Sequence, residues 1–314
     1  MNKQYVKAAS ISLKQLSYLL AIADTLNFTR AAELCFVTQS TLSGGLSELE
    51  RVLGVQLVER DRQRVALTPL GANMVRRAQD ILSATADLVM LAQSAADPAS
   101  GELRLGIIPT VAPFMLGKAL NACKKQFPQL RVSVRESQTA VLLAEVENGE
   151  LDAAVLALPI ETGKLHEHVL FEEELCLVTH ASDSLCNSKQ QPLAKIDAKR
   201  LLLLEKGHCL RDHTLSACSL ERNPGQTGQT SDGGVVEATN LSTMVQLVNA
   251  GIGCALLPRM AIEAGILHGT QVQEVPLSAP IPSRAIALVT RTSHPNFEFI
   301  NEALAKVLQG CNPA

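Results

Sequence analysis

The stretch that decides the fold of the N-terminal end is Phe28-Thr29-Arg30-Ala31-Ala32-Glu33-Leu34-Cys35-Phe36-Val37-Thr38-Gln39-Ser40-Thr41-Leu42-Ser43-Gly44-Gly45-Leu46-Ser47-Glu48-Leu49. Ala31, Ala32 and Leu34 predict a short helix, with Thr29 as its cap and Phe28 before it as a hydrophobic staple. Paired alanines let another helix approach closely. A break at Phe36-Val37 leads to Thr38, a good N-cap for a further helix. Leu42, Leu46 and Leu49 recur there at i, i+4 and i+7, which buries one face and turns Gln39, Ser40, Thr41 and Ser43 outward. Two helices with a tight turn, the second opening on short hydrogen-bonding side chains, form a helix-turn-helix pattern. Such residues reach base edges in the major groove while flanking arginines hold phosphates. The same spacing also suits a small helical domain with a solvated basic face, and spacing alone leaves both open.

Upstream, Leu13, Leu16, Leu20, Ala23 and Leu26 recur three and four apart and predict a first helix with these residues on its buried face. Lys3, Lys7 and Lys14 precede this apolar run, but its core is too short for a secretory signal, so a cytoplasmic protein is expected. Downstream, Gly54 ends the third helix and residues 55–67 read as a hairpin, or wing, with Arg60, Arg62 and Arg64 at strand spacing. Arg30 and these three arginines are the candidate phosphate contacts. Residues 1–68 hold eight Lys or Arg against six Asp or Glu, a net of +2 within a chain of net charge −3.

Thr68-Pro69 is a strong helix start. From there Met74, Ala78, Ile81, Thr85, Leu88, Ala92 and Ala95 alternate four and three apart, and Val75, Leu82 and Val89 form a second row. A stripe sustained this long suggests a helix pairing with a copy of itself, the alternative being a helix lying on its own domain. The expected organisation is a DNA-reading domain over 1–68, a linker and dimerisation helix over 69–97, and a regulatory domain over 98–314.

That last part changes rhythm. Apolar runs at 103–108, 130–135, 153–158, 175–178, 201–204, 254–257 and 285–289 predict strands, and helices fit at 113–126, 138–148, 241–250 and 297–309. The pattern is α/β with mainly parallel sheets, in two lobes around a cleft. Ligands in such sheets sit beyond the carboxyl ends of strands, which singles out Ile108-Pro109-Thr110 and Gln138-Thr139, although hydroxyls there also serve as ordinary caps.

With 46% hydrophobic and 19% charged residues, the 314-residue chain has the composition of a globular protein of two or more domains. No apolar run is long enough for a membrane span. No phosphate loop, nucleophile elbow or H-E-x-x-H pair appears, so most catalytic classes lack support. The eight cysteines are scattered and do not form a compact disulfide framework.

The most suggestive cysteine context is Glu205-Lys206-Gly207-His208-Cys209-Leu210-Arg211-Asp212-His213-Thr214-Leu215-Ser216-Ala217-Cys218. Cys209 follows a strand and a glycine and opens a predicted helix whose N-terminal N–H groups would stabilise a thiolate, with His208 and Arg211 as adjacent partners. A thiolate of this kind is what peroxide attacks, giving a sulfenic acid that a second thiol resolves, and Cys218 is the nearest candidate. In a continuous helix the two Cα atoms would lie about 13.5 Å apart, on opposite faces. A disulfide needs roughly 4.4–6.8 Å, so bonding would remodel the segment. Inert buried thiols, or a metal site built from Cys209, His213 and Cys218, are the competing readings, although no fourth ligand is offered at a familiar spacing.

Residues 16–93 resemble the winged helix-turn-helix and linker helix of LysR-type transcriptional regulators. The similarity is carried by Phe28-Thr29-Arg30-Ala31-Ala32-Glu33, Val37-Thr38-Gln39-Ser40-Thr41-Leu42-Ser43, Leu57-Val58-Glu59-Arg60 and Leu67-Thr68-Pro69-Leu70-Gly71. The rest is similar to the peroxide-sensing OxyR branch, through Leu105-Gly106-Ile107-Ile108-Pro109-Thr110, Glu136-Ser137-Gln138-Thr139 and, most specifically, Gly207-His208-Cys209-Leu210-Arg211-Asp212 with Cys218 downstream. The resemblance implies a two-lobed sensor domain like periplasmic binding proteins, attached to an all-α winged helix-turn-helix. It implies that Cys209 reacts with hydrogen peroxide and that Cys218 forms the disulfide with it. Thr110, Thr139 and His208 would surround the peroxide, and Arg211 and Arg284 would supply positive charge near the thiolate. No resident cofactor or metal is implied. The implied partners are promoter duplex DNA, three further copies in a homotetramer, RNA polymerase at antioxidant genes, and a thiol reductant such as glutaredoxin or thioredoxin, with no membrane. A regulator answering to a small organic effector in the cleft, with inert cysteines, and a thiol peroxidase are the alternatives. The chain departs from the pattern at Gly44, Gly45 and Glu48, where relatives commonly carry basic or amide side chains, and in residues 223–234, which look longer.

Overall fold

The computed structural model describes residues 10–60, 64–94, 97–187, 190–193, 196–218 and 236–312. Arg62, the segment 223–234 and Ala95 lie outside the described residues. The chain divides into two compact units between Ala92 and Gln93.

The first unit contains α1 (Leu13–Thr25), α2 (Phe28–Leu34), α3 (Gln39–Leu53), the antiparallel pair β1 (Val58–Arg60) and β2 (Val65–Leu67), and most of α4 (Pro69–Ser94). Ser12 and Gln15 form a capping box that starts α1. Its buried residues are Leu16, Tyr18, Leu19, Ala21 and Ile22; of the expected stripe Leu16 is buried and Leu20 packs against the core, whereas Leu13 is exposed and Leu26 is the exposed left-handed C-cap. The apolar residues of α1 surround the helix, and contact with α2 and α3 selects which of them is buried. The cap of α2 is Asn27 and not Thr29: its Oδ1 accepts from the N–H groups of Thr29 and Arg30 at 2.9 and 3.1 Å. Thr38 caps α3 as the sequence predicts, and Leu42, Leu46 and Leu49 are fully buried. Gly54 closes α3 at φ +73°, a conformation that favours glycine. Met74, Val75, Ala78 and Leu82 of α4 pack into the core of this unit, whereas Ile81, Leu88, Val89 and Leu91 are exposed.

The second unit runs β3 (Gly101–Ile107), α5 (Ala112–Gln126), β4 (Leu130–Glu136), α6 (Thr139–Glu147), β5 (Ala153–Leu158), β6 (His166–His180), β7 (Leu203–Leu204), α7 (Cys209–Ala217), β8 (Glu237–Ala238), α8 (Leu241–Asn249), β9 (Ala255–Pro258), α9 (Arg259–Glu263), β10 (Val272–Val275) and β11 (Ser283–Thr290). The single helix expected at 297–309 is a π-helical segment, Phe299–Leu304, that passes into α10 (Ala305–Gln309).

One sheet has the order β10-β6-β11-β5-β3-β4, with β9 also on β6, and β7 and β8 form a separate parallel pair. The expectation of mainly parallel sheets is corrected: β3 pairs in parallel with β4 and β5, but β11 runs antiparallel to β5 and β6, and β9 and β10 antiparallel to β6. Apolar runs mark strands without marking their direction. β6 joins the two lobes, residues 166–174 pairing with β11 and residues 175–180 with β9 and β10. One core lies among β3, β5, α5 and α6, with Leu105, Val155, Met115 and Leu142 at its centre. The other gathers Leu177, Leu256, Val245 and Leu204.

Candidate functional site

In the first unit, the outward face of α3 carries exposed Gln39, Ser40 and Thr41 and half-buried Ser43. The Thr38 hydroxyl accepts from the Thr41 N–H at 3.2 Å and pairs with the Ser40 and Thr41 hydroxyls at 3.0 and 2.8 Å. Arg60, on β1, donates to Ser43 Oγ at 2.9 Å, and its guanidinium lies 4.4 Å from the Phe28 ring centroid. The base of the wing is thus fastened both to α3 and to the start of α2. Arg30 and Arg64 are exposed. Glu50 Oε1 accepts from the Leu57 and Val58 N–H groups at 2.8 and 3.1 Å, which fixes where the wing leaves α3.

Two of the three departures in α3 acquire physical reasons. A Cβ on Gly45 would stand 2.7 Å from the buried ring of Tyr18, so Tyr18 occupies the space a side chain would need. Gly44 faces open space. Glu48 is held by Arg51 through two bonds of 2.6 and 2.5 Å, which offsets its charge.

In the second unit, Cys209 is the first residue of α7 and is buried within the core of the lobe formed by β3, β5 and α5. Cys218 is the C-cap of the same helix and packs against the other core. Burial pushes the Cys218 thiol up to about 11. The preceding turn depends on Gly207 at φ +100°, where an added Cβ would overlap the side-chain amide of Gln138. This close approach sets the loop before α7 against the exit of β4, where Thr139 begins α6. The Thr139 hydroxyl is buried without a hydrogen-bond partner. His208 is the buried N-cap of α7, 3.7 Å from Glu205.

Thr110 and Arg284 are brought together. Arg284, 1% exposed, donates to Thr110 Oγ1 at 2.9 Å and is ion-paired with Glu173 at 2.8 Å. Glu173 also accepts from the Met260 N–H at 3.1 Å. The sequence reading missed Glu173, although strand alternation along Glu172-Glu173-Glu174 places the middle carboxylate opposite its neighbours. Arg211 is held elsewhere, its Nη1 donating at 2.7 Å to both the Leu204 carbonyl and Glu237.

His213 is a second residue with an unclaimed role. It is buried, and neither ring nitrogen has a hydrogen-bond partner, although the Pro159 carbonyl is near enough to favour the protonated ring. Desolvation, followed by the Arg284 charge, outweighs that and lowers its pKa, so the ring is neutral around pH 7. It lines a cavity of about 380 Å³ with Pro159, Ser216, Ala279, Pro280 and Ile281. Among the described residues no group of three or more His, Cys, Asp or Glu is placed to hold a metal ion, so Cys209, His213 and Cys218 do not form one.

No described helix is long and apolar enough to cross a membrane. Residues 13–72 match the bacterial regulatory helix-turn-helix protein, lysR family, and residues 96–309 match the LysR substrate binding domain. The chain is 43% identical over 303 residues to the HTH-type transcriptional regulator EstR of Acinetobacter baylyi, covering 96% of this chain and 98% of that protein. It is 35% identical over 303 residues to the DNA-binding transcriptional dual regulator OxyR of Escherichia coli, covering 96% and 97%. A full-length OxyR from Pseudomonas aeruginosa carrying a cysteine-to-aspartate substitution superposes with a TM-score of 0.74 at 31% identity, covering 96% of both chains. The chain belongs to the LysR family of bacterial transcriptional regulators and, within it, is similar along nearly its whole length to OxyR proteins.

Proposed function

We propose that the protein is a cytoplasmic hydrogen-peroxide sensor that binds promoter DNA and switches by oxidation of Cys209 and formation of a Cys209–Cys218 disulfide. The observation that carries this reading is the placement of the two thiols at opposite ends of α7, in two different cores. The Cys209 sulfur, at the helix end that favours negative charge, attacks one peroxide oxygen, the O–O bond breaks, and water leaves a sulfenic acid. The Cys218 sulfur then attacks the Cys209 sulfur, the S–O bond breaks and a second water leaves. Both thiol protons end in water, and two electrons pass from the thiols to peroxide. The second step requires α7 to unwind, because its length holds the Cα atoms about 13.5 Å apart. A local oxidation thereby becomes a rearrangement of the second lobe. Thr110, Thr139 and His208 form the polar surroundings of the peroxide, with Arg284, bonded to Thr110, and Arg211, two residues after Cys209, as positive charges. A thiol reductant such as glutaredoxin or thioredoxin returns the switch.

The exposed Leu88, Val89 and Leu91 on α4 support pairing of this helix with a second copy, as part of a homotetramer that recruits RNA polymerase. Arg30, Arg60, Arg62 and Arg64 contact phosphates, and Thr38, Gln39, Ser40, Thr41 and Ser43 present the base-reading end of α3. The direct test is Cys209→Ser: DNA binding is retained and the transcriptional response to peroxide is lost.

A second reading is favoured by one observation, the cavity beside α7 that is lined by His213, whose buried ring nitrogens have no hydrogen-bond partner. A small organic effector there would govern α7 without thiol chemistry. A cysteine-free variant that keeps a ligand response would support it.

A further inference from the structure

Phe36, in the turn between α2 and α3, is 95% exposed. Its backbone sits at φ +55°, which a bulky residue adopts only when its surroundings hold it there. Two bonds do so: the Phe36 N–H donates to the Glu33 carbonyl at 3.1 Å and the Val37 N–H to the Ala32 carbonyl at 3.0 Å. The turn is thus built to present an aromatic ring almost wholly to solvent. The ring stands two residues before Thr38, the N-cap of α3, and so beside the helix end that enters the major groove.

The polar readers on α3 are few. Ser43 is engaged by Arg60, the Ser40 and Thr41 hydroxyls pair with Thr38, and Glu48 is held by Arg51. Gly44 and Gly45 have no side chain, and Gln39, the single amide on this face, accepts from Thr29 Oγ1 at 3.4 Å. Apolar contact adds to what these few polar groups read, and thymine alone presents an apolar group, its 5-methyl, in the major groove. We propose that Phe36 is a specificity-determining residue of the DNA interface, its ring packing on thymine methyl groups at the edge of each half-site. This rests on the DNA-binding reading.

The test uses the full chain and duplexes that it selects from a randomised pool. Each thymine is replaced singly by deoxyuridine, which removes only the methyl group, and affinities are measured for the wild type, Phe36→Ala and Phe36→Asn. Asn accepts a positive φ, so the second variant removes the ring without straining the turn. The wild type loses about fourfold at one or two positions, the worth of one buried methyl each. Both variants bind thymine and deoxyuridine equally at those positions. A wild type indifferent to every replacement, or variants that keep the methyl dependence, overturns the proposal. So does a Phe36→Asn chain with unchanged DNA recognition that no longer activates transcription, which would assign the ring to a protein partner. A chain that selects no duplex refutes the DNA-binding reading itself and this inference with it.

Discussion

Cys209 opens α7 and Cys218 closes it, so the two thiols are held apart by the helix that lies between them. The same helix keeps Cys218 half-buried against the second core, which raises its pKa to about 11. Cys218 is therefore kept from reacting with Cys209 in two ways, by distance and by protonation.

Alkylation of Cys218 follows from that. Thiolate is the nucleophile, and moving a thiol from near 9 to about 11 removes about 99% of its thiolate at neutral pH. Iodoacetamide should modify Cys218 at least about 100-fold more slowly in the reduced folded chain than in urea. Equal rates would show that α7 does not protect it.

Stability should fall in alkaline solution. Burial raises Cys123 and Cys218 to about 11, and Cys176 and Cys254 to about 12. Folding therefore favours the protonated thiols. This contribution is fully present below about pH 9, diminishes as the unfolded chain begins to ionise, and is lost as pH rises through 11 to 12. Urea midpoints at pH 8 and pH 10.5 measure it. The fall should be shallower in Cys176→Ala and Cys254→Ala, and an unaltered slope in both would contradict the burial argument.

The pair of Arg284 and Glu173 is buried on both sides, with Thr110 as third partner. Glu173→Gln leaves a guanidinium without its counter-charge and should destabilise the second unit by about 3–5 kcal/mol. Adding Arg284→Met should recover part of that loss. A single variant within about 0.5 kcal/mol of wild type would show that the pair carries no such weight.

Arg60 links the wing to Ser43 and stacks on Phe28 while remaining exposed. Arg60→Ala should weaken DNA binding and reduce the dependence of log affinity on log salt by about one. An unchanged slope would mean that Arg60 braces α3 without touching phosphate.

How much of this was legible in the sequence depended on the range of the interaction. Thr38, Leu42, Leu46, Leu49 and Gly54 define α3 through local spacing, and each holds its expected place. The cap of α2 was misplaced because Asn27 and Thr29 are both capable of capping, and only backbone direction separates them. β10 was missed because Val272-Gln273-Glu274-Val275 has two apolar residues in four and is ordered by pairing with β6. Of β6 only residues 175–178 read as a strand, because Glu172-Glu173-Glu174 interrupts the apolar run. Cys209, Thr110 and Thr139 were found as motif positions. The contact of Arg284 with Glu173, 111 residues away, exists only in the folded chain.

The most direct test is thiol counting and peptide mapping of the full chain before and after one equivalent of hydrogen peroxide. The free-thiol count should fall by two, with a single linked pair of peptides containing Cys209 and Cys218. An unchanged count, or a link made through Cys35, Cys176 or Cys254 in place of Cys209, would contradict the account.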